Sequence, residues 1–126
     1  MEVNMTKTKY TANPVQFEHI STTKIRTLND AFRKTFIGGD IRMTPSIQAL
    51  SEVDRFILTT AVKKYNDFTP DNDPHKEHDF GQIFFNGTKY FWKIDYYDNQ
   101  LENGSEDPAN PHITRRVLTI MEAPEY

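Results

Sequence analysis

Apolar residues at Ile25, Leu28, Phe32 and Phe36 are spaced by three, four and four positions, as on one face of an α-helix, and Gly38-Gly39 ends the run. Thr22 or Thr23 stands where a cap is needed, so a first helix is expected from there. "DIRMT" alternates Ile41 and Met43 with polar neighbours and predicts a short strand; "TPSIQAL" predicts a proline-initiated turn or a single helical turn. Ser51 and Asp54 then form a variant capping box, with Asp in place of Glu or Gln. Val53, Phe56, Ile57, Ala61 and Tyr65 continue at helical spacing, and Lys63 and Lys64 suit the last turns. A second helix is expected from about Glu52 to Asn66.

"FGQIFF", "NG" and "TKYFWKIDYY" have the pattern of a β-hairpin, because Asn-Gly adopts the positive φ angles of a type I′ turn. With Asn86 and Gly87 as turn residues, Phe85 faces Thr88 and Gly81 faces Trp92. One face then carries Ile83, Phe85, Tyr90, Trp92 and Ile94, and belongs against the helices. The other carries Phe80, Gln82, Phe84, Lys89, Phe91, Lys93 and Asp95. "ITRRVLTIM" (Ile113–Met121) reads as a further strand. The expected fold is an α+β domain: two helices packed on a small, mainly antiparallel sheet of three to four strands. Residues 1–21 are expected as an irregular N-terminal arm and 22–126 as a single α+β domain.

The hairpin carries a topological consequence for charge. The loop entering its first strand and the loop leaving its second emerge at the same end, opposite the turn. The first brings Asp67, Asp71, Asp73, Glu77 and Asp79; the second, with the end of its strand, brings Asp95, Asp98, Glu102, Glu106 and Asp107. Ten of the 18 carboxylates are thereby directed to one rim. Arg115 and Arg116 enter the last strand at that end and are placed to neutralise part of it.

Composition narrows the chemistry. In 126 residues there is no cysteine, which excludes disulfides, thiolate nucleophiles and Cys-ligated metals. Aromatic residues at 13% favour a sheet over a bundle. No apolar run is long enough to cross a bilayer, and "MEVNMTKTKY" lacks the apolar core of a signal peptide, so a soluble, cytoplasmic protein is expected. The net charge of -3 names no partner; its distribution is what matters.

"DNDPHKEHD" starts like an EF-hand loop, but His75 falls on a ligand position, Lys76 replaces the turn glycine and Gln82 stands where the bidentate Glu belongs. An irregular metal site from Asp71, Asp73, Glu77, His78 and Asp79 is the remaining metal alternative, and it would serve a hydrolase or nuclease. His75 and His78 have H-x-x-H spacing, with His112 as a possible addition, yet Pro74 argues against the helix that spacing needs. A metal-free acid–base pair would join His78 to Asp79 or Asp95. Lys89 and Lys93 interleave with Phe84 and Phe91 as on single-strand-binding sheets, but the acidity and the lack of an RNP-like string stand against direct nucleic-acid binding. The same aromatics, with Phe80, suit a homodimer face. Solvated loops, with Asp71 and Asp73 in Asx turns and Asp79 on backbone donors, are the plain alternative.

"FTPDNDP", "EHDFG", "FWKIDYYD", "DPANP", "TRRVLTIM" and the terminal "EY" resemble a bacterial domain family of unknown function, represented by small proteobacterial proteins and found on plasmids and prophage-like regions. The resemblance spans about Ile25 to Tyr126 and brings no catalytic residues with it. The family pattern resembles Pro-Tyr-Gly-Glu-His-Asp where this chain has "PHKEHD", so the chain departs at His75 and Lys76. The resemblance implies, by association, an anti-restriction or anti-CRISPR role. The leading expectation is a non-enzymatic protein, without cofactor, that engages a basic protein surface through Asp71, Asp73, Glu77, Asp79, Asp95, Asp98, Glu102, Glu106 and Asp107.

Overall fold

The computed structural model describes residues 14–126, with side chains from Ile20 onward; the first thirteen residues of the expected arm lie outside the described residues. Residues 14–21 are helical and not irregular. Helix α1 spans Pro14–Thr35, starting eight residues before the expected cap. A proline opens it, and a first helical turn loses nothing by proline's missing N–H. Phe36 (φ 61°) and Gly38 (φ 114°) turn the chain out of α1 into strand β1, Gly39–Met43. A single helical turn, α2 (Pro45–Gln48), precedes α3 (Glu52–Lys63), where Ser51 Oγ accepts the Asp54 N–H as the spacing predicts. Strands β2 (Phe80–Phe85), β3 (Thr88–Tyr97) and β4 (Arg115–Glu122) follow, then a 3₁₀ turn, Ala123–Glu125.

The four strands form one sheet in the order β1-β4-β3-β2, with β1 parallel to β4 and the other pairs antiparallel. The architecture is the expected α+β. The hairpin register is also as expected, from Phe85 opposite Thr88 to Phe80 opposite Lys93, with Asn86 (φ 51°) and Gly87 (φ 77°) in the turn. Trp92, Leu118 and Ile120 are fully buried against Phe32, Ile47, Leu58 and Val62, and Ile83 and Phe85 pack at the margin of this core.

Helix α3 differs from its pattern. Leu58 and Val62 face the sheet, whereas Val53, Phe56 and Ile57 are 67%, 70% and 43% exposed. The helix is apolar on two sides, and periodicity alone cannot choose between them. The side that meets the Trp92 ring also carries Tyr65, which lies edge-on to the indole.

The far face of the sheet is covered by its own side chains. Phe80, Phe91 and Tyr126 form an edge-packed aromatic cluster, Lys93 pairs with Asp95 at 2.8 Å, and Arg115 grips Asp40 through two hydrogen bonds. Phe84 is exposed, with the Lys89 ammonium 5.9 Å from its ring. Glu125 accepts from the Thr44 hydroxyl and the Glu122 and Ser46 amides, which holds its carboxyl down at about 2 and ties the C-terminus to the β1–α2 junction.

Candidate functional site

The first acidic loop (residues 64–79) is closed by local polar contacts. Thr69 and Asn72 exchange hydrogen bonds, with the Thr69 N–H donating to Asn72 Oδ1 (2.9 Å) and the Asn72 N–H to Thr69 Oγ1 (3.3 Å). The Asp73 N–H then donates to the Thr69 carbonyl, and Asp73 Oδ1 accepts the His78 N–H. Lys76 (φ 59°) and His78 (φ 56°) both occupy the left-handed region. A glycine, as in the resembling pattern at position 76, adopts that conformation without steric cost; Lys and His do not.

The second loop (98–114) is built the same way. Asp98 accepts the Glu102 N–H (3.0 Å), a bond that lowers its carboxyl below the ordinary value, and also faces the Asn103 amide. Asp107 Oδ1 accepts the Ala109 N–H, and the Ser105 and Thr114 hydroxyls meet at 2.7 Å.

A buried polar network joins the two loops. Arg116 on β4, 3% exposed, points to the helix side of the sheet. Its Nε donates to Asn29 Oδ1 of α1 (2.7 Å), and its Nη2 donates to the Pro108 carbonyl in the second loop (2.6 Å). Asn29 Nδ2 donates in turn to the Glu77 carbonyl in the first loop (2.9 Å) and to the Tyr96 hydroxyl oxygen (2.8 Å). The Tyr96 hydroxyl donates to Glu77 Oε1 (2.8 Å), and the Arg116 guanidinium lies over the Tyr96 ring. Burial pushes the Tyr96 phenol up, so it stays a donor at neutral pH. Burial also pulls Arg116 down, while Tyr96 and Glu77 favour its charged form. One side chain thus holds both loops through α1.

His78 pins the first loop a second time. Its ring stacks on Phe68 (centroids 3.7 Å apart, planes within 4°), and Nδ1 lies 2.9 and 3.1 Å from the two carboxylate oxygens of Asp30. Asp73 Oδ2 lies 3.6 Å from Nε2. Arg33, 1% exposed, fixes Asp30 (2.9 Å), donates to the Tyr65 carbonyl and lies over Phe68 and Trp92. The expected acid–base partners of His78 are therefore corrected. Asp95 lies on the opposite face, paired with Lys93, and the imidazole is oriented by Asp30 of α1 instead.

The nine expected rim residues divide into three sets. Asp71, Glu102, Glu106 and Asp107 are exposed on the loops, as is Asp67. Asp73, Glu77, Asp79 and Asp98 are buried or half-buried and, Asp79 apart, bind their own loops or Tyr96. Asp95 belongs to the far face of the sheet. Among the described residues, no group of three or more His, Asp or Glu is placed to hold a metal ion, because Asp73, Glu77 and His78 bond to protein groups instead.

Asp79 is the one member whose charge its surroundings disfavour. Burial raises its pKa above the ordinary 3.8, and Glu77 and Asp73 raise it further. A carboxyl raised in the folded state favours folding below its unfolded value, and that stability is lost as pH rises through the folded value. Asp79→Asn is therefore expected to raise the thermal midpoint at pH 7, with the gain fading as pH falls through the raised folded value and gone below the ordinary value of 3.8. Equal midpoints for the two proteins across pH 3 to 8, read by calorimetry, would contradict it.

Asn29, Asp30 and Arg33 were not singled out by sequence. The available signal was polar residues set among Ile25, Leu28, Phe32 and Phe36 on the buried side of α1, where Asn29 and Arg33 are as buried as Phe32. A polar residue on an apolar stripe implies a partner without naming it.

The sequence model of a family described as "Protein of unknown function (DUF3768)" matches residues 43–125. The chain belongs to the DUF3768 family. No curated protein and no solved structure matches the chain. The matched span runs from the end of β1 to the 3₁₀ turn and includes both acidic loops, the hairpin and Arg116, whereas Asn29, Asp30 and Arg33 precede it. No helix among the described residues of this DUF3768 chain is long and apolar enough to cross a membrane.

Proposed function

We propose that this DUF3768 protein is a non-enzymatic binding module that uses the outer edges of its two joined loops to engage a Lys- and Arg-rich protein surface. One observation carries the reading. Asp67, Asp71, Glu102 and Glu106 are exposed with no ion pair among the described residues, on loops that Arg116 and Asn29 hold together. Carboxylates left unpaired on a preorganised support attract a basic surface without first having to be ordered. Proteins that grip nucleic-acid phosphates present such surfaces. Restriction and CRISPR-type defence proteins are of that kind, and the association of resembling proteins with plasmids and prophages supports them as the partner class.

The test separates exposed acids from structural ones. A combined Asp67→Asn, Asp71→Asn, Glu102→Gln, Glu106→Gln variant is expected to keep its fold and to bind a captured partner about 10- to 100-fold more weakly. Wild-type binding should weaken as salt rises. Unchanged affinity in the variant, or capture indifferent to salt, would remove this rim as the interface.

A further inference from the structure

Helix α3 presents a second surface that neither the core nor the acidic loops use. At 100° per residue, Val53, Phe56 and Ile57 lie on the side of the helix opposite Leu58 and Val62, and Thr60 fills the gap between them. Their exposure is large for residues of this kind, and Phe56 at 70% presents most of its ring. Ile37, 77% exposed, follows the Phe36 ring on which the Lys63 ammonium rests at 4.6 Å and extends the apolar surface toward the end of α3. An apolar strip of this sort, with charged residues only at its ends, has the layout of a helix-pairing seam.

The charges indicate what covers it. The first turn of α3 carries Glu52 and Asp54, and the end of the helix carries Lys63 and Lys64. A helix acidic at one end and basic at the other is complementary to a copy of itself running the opposite way. Two-fold symmetry produces that arrangement, since the same patch meets itself and acidic ends face basic ends twice. We infer that the α3 face is a self-association surface, on which two copies of this chain pair with their α3 helices antiparallel, Phe56 of each packing against the Ile57 and Thr60 side of the other. The exposed carboxylates of the two loops are not part of this apolar strip, so a dimer of this kind would present two copies of the rim.

Mass action makes the population of such a dimer depend on concentration. The apparent mass of the full chain, measured by sedimentation from about 10 µM to about 1 mM, is expected to rise toward twice the monomer value. Phe56→Glu is expected to remain monomeric throughout with an unchanged circular dichroism spectrum. Two charge variants test the orientation. Glu52→Lys with Asp54→Lys, and Lys63→Glu with Lys64→Glu, are each expected to be monomeric alone, because like charges then meet at both ends. Mixed in equal amounts, they are expected to form a heterodimer. A wild-type chain that stays monomeric at the highest concentration overturns the inference. So does a dimer that survives Phe56→Glu, which would place the contact elsewhere, as on the Phe80, Phe84 and Phe91 face. A mixture of the two charge variants that fails to associate overturns the charge-matched pairing, and either variant dimerising alone as readily as the wild type overturns its antiparallel orientation.

Discussion

Arg116→Ala is expected to cost about 3 to 5 kcal/mol and to loosen both acidic loops at once. The guanidinium is buried at the centre of the molecule's polar network, and its removal strips Asn29 Oδ1 and the Pro108 carbonyl of their donors. Each buried acceptor left without a partner costs about 1 to 3 kcal/mol, and the vacated space under Tyr96 adds a cavity term. Release of the desolvated charge offsets part of this, which keeps the total below the sum of its parts. Thermal unfolding should move down by about 10 to 20 °C for a chain of this size. Hydrogen exchange supplies the sharper reading. Amides in both loops, including His78 and Ala109, should lose protection together, although they lie on separate segments. Asn29→Ala should produce the same pair of effects, and the double variant should cost clearly less than the two added, because both act on one network. Loosening of the second loop alone would show that the loops are held independently.

Gly81→Ala is expected to destabilise the fold by about 3 kcal/mol, near the upper end for overpacking. Gly81 sits on β2 opposite Trp92, and a Cβ added there would collide with Trp92 Nε1 and stand 2.8 Å from the Tyr65 ring. The indole is fully buried, so it cannot swing away, and Tyr65 is held edge-on between it and Phe68. Trp92 Nε1 is buried without a hydrogen-bond acceptor among the described residues, so the packing of the indole rests on its ring contacts. Near-UV circular dichroism should report the displaced tryptophan alongside the lower midpoint. Gly87→Ala is the control, since nothing crowds its position and only its φ of 77° resists a side chain; about 1 kcal/mol is expected there. Equal costs at the two sites would mean that backbone conformation, and not the indole, demands a glycine at 81.

These two sites show how differently the parts of the molecule were legible in the sequence. Gly81 opposite Trp92 follows from counting outward from Asn86-Gly87, because a two-residue turn sets every later pair and side chains alternate with a period of two. The Ser51 cap and the break after Thr35 are equally local. Arg116 was legible as a neutralising charge at the correct end of the sheet, but its partner was not, since Asn29 is 87 positions away and on another element. His78 was visible as the most chemically interesting residue in its loop. Its carboxylate is Asp30, 48 positions earlier on α1, and not one of the acids beside it.

By itself, the sequence determined the α+β class, the hairpin with its register, the Ser51 cap of α3 and the meeting of two acidic loops at one end of the sheet. Short-range sterics and the two periodicities suffice for each of these. Only the tertiary structure decided which carboxylates are exposed. It also decided that α3 turns Leu58 and Val62 inward while leaving Phe56 in solvent. A charge or an apolar side chain has no fixed destination until packing brings residues from distant elements against it. Burial then makes an unpaired polar group costly enough that Asn29, Arg116, Tyr96 and Glu77 settle on one another.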